Sequence, residues 1–432
     1  MIVLDSRYRT CRFVSMVFAC ALGVHAAALA GPLAPPAGVP TSTGKSTSEI
    51  YDKLTAIESL IEPGEARIPI NEFTAPPSAS APGVNAAVHR ITQPGSYYLT
   101  GNISVSSGKS GIMIAASDVT IDLNGYGIVG SPGSFFGVQF ASTSVAYNNI
   151  TVRNGTIRSC GNTGLNLFST VSAGALVENI TASNNGAYGI FVPDESRVIN
   201  CSAIANTSTG FQIGNSRGGV ATNCIASNNG ADGIYAVSRT VITNCRSRQN
   251  SGRGILAGFS AVISGCTLAE NAGGGIFANS GSQVRENAVT GNTAMGIEVN
   301  DDALVSENTV SISNSDGIKA GNSCRIFNNL VVECGLNAGT YAINIAGNTC
   351  RVEGNTVSES TRGVRVQGTG SMIVRNAVSL PSGVTTTAWT IAAGNRYGPI
   401  VDLKSLAPAA AVSGGSATST LTTTDPNANF TH

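Results

Sequence analysis

Histidine is nearly missing from this 432-residue chain, which holds only His25, His89 and His432. Ser-His-Asp hydrolysis and most catalytic zinc sites need an imidazole beside the chemistry, so both drop out once His25 is assigned to an amino-terminal leader. Charge is scarce as well. Only 12% of residues are charged, and Lys+Arg equals Asp+Glu at 25 each, which leaves no basic excess to neutralise a phosphate backbone. Nucleic acid is excluded as a partner on that ground. Aromatic residues make up 6% of the chain, with a single Trp. Helix-forming Leu, Glu, Lys and Arg give way to Gly, Asn, Ser and Val, and the 51 Gly point to a turn-dense all-β architecture.

The chain opens with the pattern of an export signal. Arg7, Arg9 and Arg12 precede an apolar run from Phe13 to Leu22, and Ala28-Leu29-Ala30 has the small-x-small form of a cleavage site. Residues 1–30 are therefore expected to be removed, which leaves 22 basic against 24 acidic residues. No later segment is apolar enough to span a bilayer, so the mature chain is expected to be secreted, periplasmic or on the cell surface. A linker follows over 31–45. Residues 46–62 carry Ile50, Leu54, Ile57 and Ile61 at helical spacing and end at Pro63, which predicts an amphipathic helix. That helix would cap the body of a monomer or join three chains in a trimer. Residues 63–88 read as a Pro/Ala/Ser linker.

The main body is a repeat. A Gly followed by an aliphatic or aromatic residue recurs at Gly189-Ile190, Gly210-Phe211, Gly233-Ile234, Gly254-Ile255, Gly275-Ile276, Gly296-Ile297, Gly317-Ile318 and Gly363-Val364, with Ala342-Ile343 in the one gap. The spacing is 21 residues in all but two steps. Within a repeat, Ile255 and Ala257, then Ala261 and Ile263, then Cys266 and Leu268 alternate with polar residues, the period of three short strands. Three strands per 21-residue coil predict a parallel β-helix, right-handed because the left-handed form uses shorter hexapeptide-based coils. Its expected span is 89–380, roughly eleven coils at about 4.8 Å each. A carboxy-terminal cap over 381–407, closed by Trp389 and Ile391, and a flexible tail over 408–432 complete the expected domain plan.

Polar residues fill two positions that the alternation turns inward. Asn185, Asn206, Asn229, Asn250, Asn271 and Asn292 each stand four residues before a repeat Gly, with Cys160 before them and Ser313 after. Stacked carboxamides can donate to one neighbour and accept from the other, so the column reads as a structural asparagine ladder. The second position runs Asn154, Asn179, Cys201, Cys224, Cys245, Cys266, Asn287, Asn308 and Asn329, with Cys and Asn exchanging as small inward residues. Stacked this way, neighbouring cysteines would have parallel Cβ vectors. The eight cysteines of the mature chain are therefore expected to be buried thiols, Cys324 and Cys350 among them.

An outward column lies two places after each Gly: Phe191, Gln212, Tyr235, Leu256, Phe277, Glu298, Lys319, Asn344 and Arg365. Phe191, Tyr235 and Phe277 on a flat sheet suit stacking against sugar rings, while an apolar stripe beneath a covering loop or partner would look the same. Acidic residues concentrate at Glu298, Asp301 and Asp302, near Asn279, Asn300 and Lys319. These oxygens suit calcium, and a solvated turn with a Glu298–Lys319 ion pair is the competing reading. Asp194 and Glu195, with Asn215, Arg197, Arg217 and Arg239, form a second mixed-charge group.

The repeat Val241-Ile242-Thr243-Asn244-Cys245 to Asn250-Ser251-Gly252-Arg253-Gly254-Ile255 resembles that of secreted right-handed parallel β-helix proteins of the pectin-lyase-like superfamily. So do Ile91-Thr92-Gln93-Pro94-Gly95-Ser96-Tyr97-Tyr98-Leu99 and Val119-Thr120-Ile121-Asp122-Leu123-Asn124-Gly125. The resemblance covers about residues 89–380 and implies the fold far more than any one activity, since such a fold serves many functions. Asn314-Ser315-Asp316 and Asp301-Asp302 only faintly echo the polygalacturonase-like motifs, whose His segment is missing, and the Asp-Pro-His-Asp signature of alginate epimerases is missing too. Calcium-dependent lyases of the superfamily need carboxylates and an Arg or Lys base but no His, so the resemblance leaves that activity open. Three readings follow: an exported protein that engages polysaccharide on one long face, without an identifiable catalytic set; a calcium-dependent lyase of acidic polysaccharide; and a structural or adhesive surface repeat.

Overall fold

The computed structural model describes residues 67–71, 86–382, 387–402 and 424–431. The expected signal peptide, the 31–45 linker and the 46–62 helix with its possible trimer lie outside the described residues. Among the described residues there is no helix, and the chain winds as a right-handed parallel β-helix of about 13 turns. Its three faces are recognisable in any middle coil: Ile255–Ala257 on face one, Val262–Ser264 on face two and Thr267–Ala269 on face three. Each strand pairs in parallel with its counterpart one coil on, Ile255 with Ile276, Val262 with Gln283 and Thr267 with Ala288. Face one is a continuous 14-stranded sheet.

The strands are short because a corner follows each one, and several corners turn on a single residue in the left-handed region. Between faces two and three these are Asn154, Asn179, Asn200, Asn223 and Asn244, with φ between 54° and 60°. Asn tolerates this conformation better than other non-Gly residues because its short amide can bond locally. Asn154 and Asn179 thus belong to an outer corner column rather than to the cysteine column where the repeat spacing placed them. Asn179 Nδ2 donates to Asn154 Oδ1 on the outside at 3.0 Å, and the inward place below Cys201 is Ile180, whose backbone N–H donates to Cys201 Sγ at 3.5 Å. A one-residue offset at a corner moves a side chain from core to solvent.

The repeat glycine has a steric cause. A Cβ on Gly275 would lie 2.4 Å from Val289 Cγ1 and 2.5 Å from the carbonyl oxygen of Gly296, so a side chain there would push the next coil away. Inside, Ile255, Ala257, Ala261, Ile263, Cys266 and Leu268 are all buried, in agreement with the alternation.

Both polar columns are hydrogen-bonded ladders. Asn206 Nδ2 donates to Asn229 Oδ1 at 3.0 Å and to the Ala182 carbonyl at 3.1 Å, while its Oδ1 accepts from the side chain and backbone N–H of Asn185. All the hydrogen-bonding capacity of a buried amide is thereby met. The same pattern links Asn229, Asn250, Asn271 and Asn292. A second ladder continues the cysteine column through Asn287, Asn308, Asn329, Asn355, Asn376 and Asn429. The eight cysteines of the described residues are free and buried.

The solenoid extends beyond the 89–380 expected. At one end Ile68–Ile70, assigned from composition to a linker, pairs with Tyr97–Leu99; Pro69 is tolerated there because an outermost strand can dispense with one donor. At the other end Trp389–Ile391 pairs with Val364–Val366 and Arg396–Tyr397 with Met372–Ile373. The tail expected to be flexible returns at Asn429–Thr431, pairing with Ile400–Asp402 and, through Phe430 and Thr431, with Ala377–Val378. Asn429 closes the second ladder there, its Oδ1 accepting from both the side-chain amide and the backbone N–H of Asn376 at 3.1 Å.

Candidate functional site

Face one carries its outward residues in a straight column, since parallel strands in register stack equivalent positions. Phe191, Gln212, Tyr235, Leu256, Phe277, Glu298 and Lys319 follow one another coil by coil. The three aromatics singled out from the sequence do share this face, but they fall into two groups. Phe191 packs against Phe168 at 5.1 Å and Tyr188 at 5.4 Å between ring centroids. Gln212, only 8% exposed, folds down to donate to the Gly214 carbonyl at 3.0 Å and separates that cluster from the next aromatic.

Tyr235, Leu256 and Phe277 form the floor of an open groove of about 390 Å³. Its wall is the corner that follows face one, with Val237 and Ser238 on one coil, Gly258 and Phe259 on the next and Asn279 on the third, and Asn215 and Ser216 close the near end. Phe259 is 54% exposed, so the wall presents an apolar ring to solvent. Its backbone N–H donates to Ser238 Oγ at 3.3 Å, and Asn300 Nδ2 holds Asn279 Oδ1 at 2.9 Å. The far side of Phe277 is covered by the Arg253 guanidinium, 4.6 Å from the ring centroid. The groove thus combines apolar plates with amides and hydroxyls, and neither a carboxylate nor an imidazole lines it.

Sequence reading missed Phe168, Tyr188, Phe259 and Arg253. Phe259 occurs once, in a turn, so no column betrays it, while Arg253 stands just before the repeat Gly and reaches over the next two coils of face one to Phe277 and Glu298.

Of the acidic residues considered for calcium, Glu298 and Asp301 are engaged with protein groups. Glu298 Oε2 takes Arg253 at 3.2 Å and Oε1 takes Lys319 at 3.1 Å. Asp301 Oδ1 accepts from the backbone N–H of Asn322 at 2.7 Å and from its amide at 3.0 Å. Asp302 is a corner residue with φ 57°. Among the described residues no three His, Cys, Asp or Glu side chains are grouped to hold a metal ion.

Asp194 is a corner device as well. It accepts from the backbone N–H groups of Asn215, Ser216 and Arg217 at 2.7–2.9 Å and from Ser216 Oγ at 3.0 Å. Burial alone would raise its pKa, yet these donors outweigh burial and hold the carboxyl below the ordinary carboxylate value. Arg217 also pairs with Glu195 at 3.1 Å, an exposed bridge of small energetic weight.

Residues 167–303 match a family model described as a right handed beta helix region. Among solved structures, a mutant tailspike protein of Escherichia coli bacteriophage HK620 in complex with a pentasaccharide is 13% identical, with a TM-score of 0.50, over 84% of this chain and 83% of that one. The A-module of a mannuronan C-5 epimerase of Azotobacter vinelandii is 15% identical, with a TM-score of 0.41, over 71% of this chain and 91% of that one. A comparison with curated proteins finds no match.

Proposed function

From the premise that the chain is a right-handed parallel β-helix protein, we propose that it is exported and holds polysaccharide along face one, with the groove over Tyr235, Leu256 and Phe277 as the central subsite and the Phe191 cluster as a second contact along the same face. The observation that carries this reading is the groove itself: apolar plates flanked by Asn215, Ser216, Ser238 and Asn279. Sugar rings offer a C–H face that stacks on aromatic side chains and a rim of hydroxyls that amides and hydroxyls satisfy. Strands in register repeat the surface every 4.8 Å or so, so an extended chain of sugars finds similar contacts on consecutive coils. No carboxylate, imidazole, Lys or Arg lines the groove and Tyr235 is its one ionisable side chain, which favours binding over cleavage by a pair of carboxylates. The HK620 tailspike mutant of similar fold was solved in complex with a pentasaccharide, in keeping with this reading.

The test is binding of the chain to a panel of neutral and acidic polysaccharides with and without calcium, with ultraviolet absorbance of unsaturated uronate and new reducing ends followed in parallel. Binding without either product is expected, and Tyr235→Ala and Phe277→Ala should each weaken it roughly tenfold, the order of a lost aromatic stacking contact. Unchanged affinity in both variants would remove the groove from the account. Absorbance that rises only with calcium would replace this reading with a calcium-dependent lyase using Glu298, Asp301 and Asp302.

A further inference from the structure

Face two carries a different surface. Its outward first position holds Arg325 and, one coil on, Arg351, as in-register neighbours, with Leu304 before them and Met372 after. A recess of about 310 Å³ lies here, lined by Arg325, Phe327, Asn328, Arg351 and Glu353. Glu353 is already shared: it pairs with Arg351 and with Arg375. Arg325 has no ion pair among the described residues, and its guanidinium stands 5.9 Å from the centroid of the Phe327 ring. The neighbouring corner acids do not change this, since Glu286 pairs with Arg285 and Glu307 makes no ion pair with Arg325 among the described residues.

We infer that this recess is a second binding site, which takes an oxyanion carried on a sugar ring, either the carboxylate of a uronate or a sulfate ester. Arg351 and Arg375 share the one carboxylate of Glu353 while Arg325 beside them has none, and like charges stacked on adjacent strands repel unless an anion sits between them. A guanidinium fork presents parallel N–H donors that match the two oxygens of a carboxylate or sulfate. Phe327 adds an apolar plate and Asn328 an amide beside the fork, the combination an acidic sugar unit uses. Leu304 and Met372 bound the site to two coils, so it fits one or two sugar units and not a long polyanion track. The inference rests on the glycan reading for the class of polymer but uses no residue of the face-one groove, so the two can fail separately.

Isothermal titration of the full chain with oligomers of polygalacturonate, of chondroitin sulfate and of neutral dextran, and with inorganic sulfate, tests it on the wild type, Arg325→Ala, Arg325→Lys and Tyr235→Ala. Arg325→Ala is expected to weaken at least one acidic oligomer about tenfold, the scale of a lost charge-assisted contact, and to leave dextran unchanged. Arg325→Lys should recover part of the affinity. Which acidic oligomer responds distinguishes carboxylate from sulfate. Arg325 is exposed, so the melting temperature should not move. No acidic oligomer sensitive to Arg325→Ala, an equal loss toward dextran, or inorganic sulfate binding as tightly as the sugars would each overturn the site. Loss in Tyr235→Ala with none in Arg325→Ala would keep the groove and remove the recess.

Discussion

Asn250 sits within a ladder where each amide serves two coils. It donates to Asn271 Oδ1 at 2.9 Å and to the Ala226 carbonyl at 3.3 Å, and it accepts from Asn229. Replacing it with Ala would leave several buried groups unpaired, so Asn250→Ala should cost about 3 kcal/mol. Ser313 occupies the same column at the coil after Asn292, too short to continue the ladder, and its buried hydroxyl has no partner. Ser313→Ala is therefore expected to be neutral or slightly stabilising, because a buried hydroxyl without a hydrogen bond contributes only a desolvation cost. Urea midpoints of the two variants check this contrast. Equal losses would mean that the ladder amides act as packing volume only.

At the scale of the element, the corner is the unit that sets the geometry. Asp194 replaces a backbone turn partner by accepting three consecutive N–H groups of the following coil. Its pKa is lowered in the folded chain, so the unfolded chain binds the proton more readily. The stabilisation is thus fully present above the unfolded carboxylate value of about 4 and is lost as pH falls through the lower folded value. Asp194→Asn should cost about 1–2 kcal/mol at neutral pH, and the gap to wild type should close in strongly acidic solution. A gap independent of pH would mean that the charge plays no part. The carboxy-terminal strand shows the same logic in a longer element, with Asn429 supplying the amide that the ladder lacks after Asn376.

The described solenoid is a stack in which each coil contacts mainly its neighbours, so a buried group becomes accessible when a few coils open together. The thiols report on this. Burial pushes Cys160 and Cys201 up to about 12 and raises Cys334 as well, which leaves almost no reactive thiolate on these three near neutral pH, while Cys350, lowered by its hydrogen bond with the Cys324 thiol, is shielded by burial alone. The chain from residue 31 should yield no rapid reaction with a thiol reagent when native and eight thiols after denaturation, matching the eight buried free cysteines. Rapid native labelling, or fewer than eight thiols in denaturant without reductant, would contradict the buried, unbridged stack.

The coil repeat, its three strands, the first ladder and the outward column were legible in the chain because register in a parallel stack turns sequence period directly into spatial alignment. Gly275 and Asn250 recur at 21-residue intervals for steric and hydrogen-bonding reasons that act on every coil alike. What does not recur was hidden. Phe259 lies in a turn, so the groove wall it forms has no periodic trace, and neither has Arg253, which reaches across a strand to the Phe277 ring. Asn154 and Asn179 were misplaced by one residue because a left-handed corner residue and the inward residue after it look alike in a pattern. Asn429, far along the chain from Asn376, met its partner only through the return of the carboxy-terminal strand. Periodic local forces wrote the solenoid into the sequence, whereas the recess between Arg325 and Arg351 and the groove walled by Phe259 arise from side chains that meet only when particular coils are stacked.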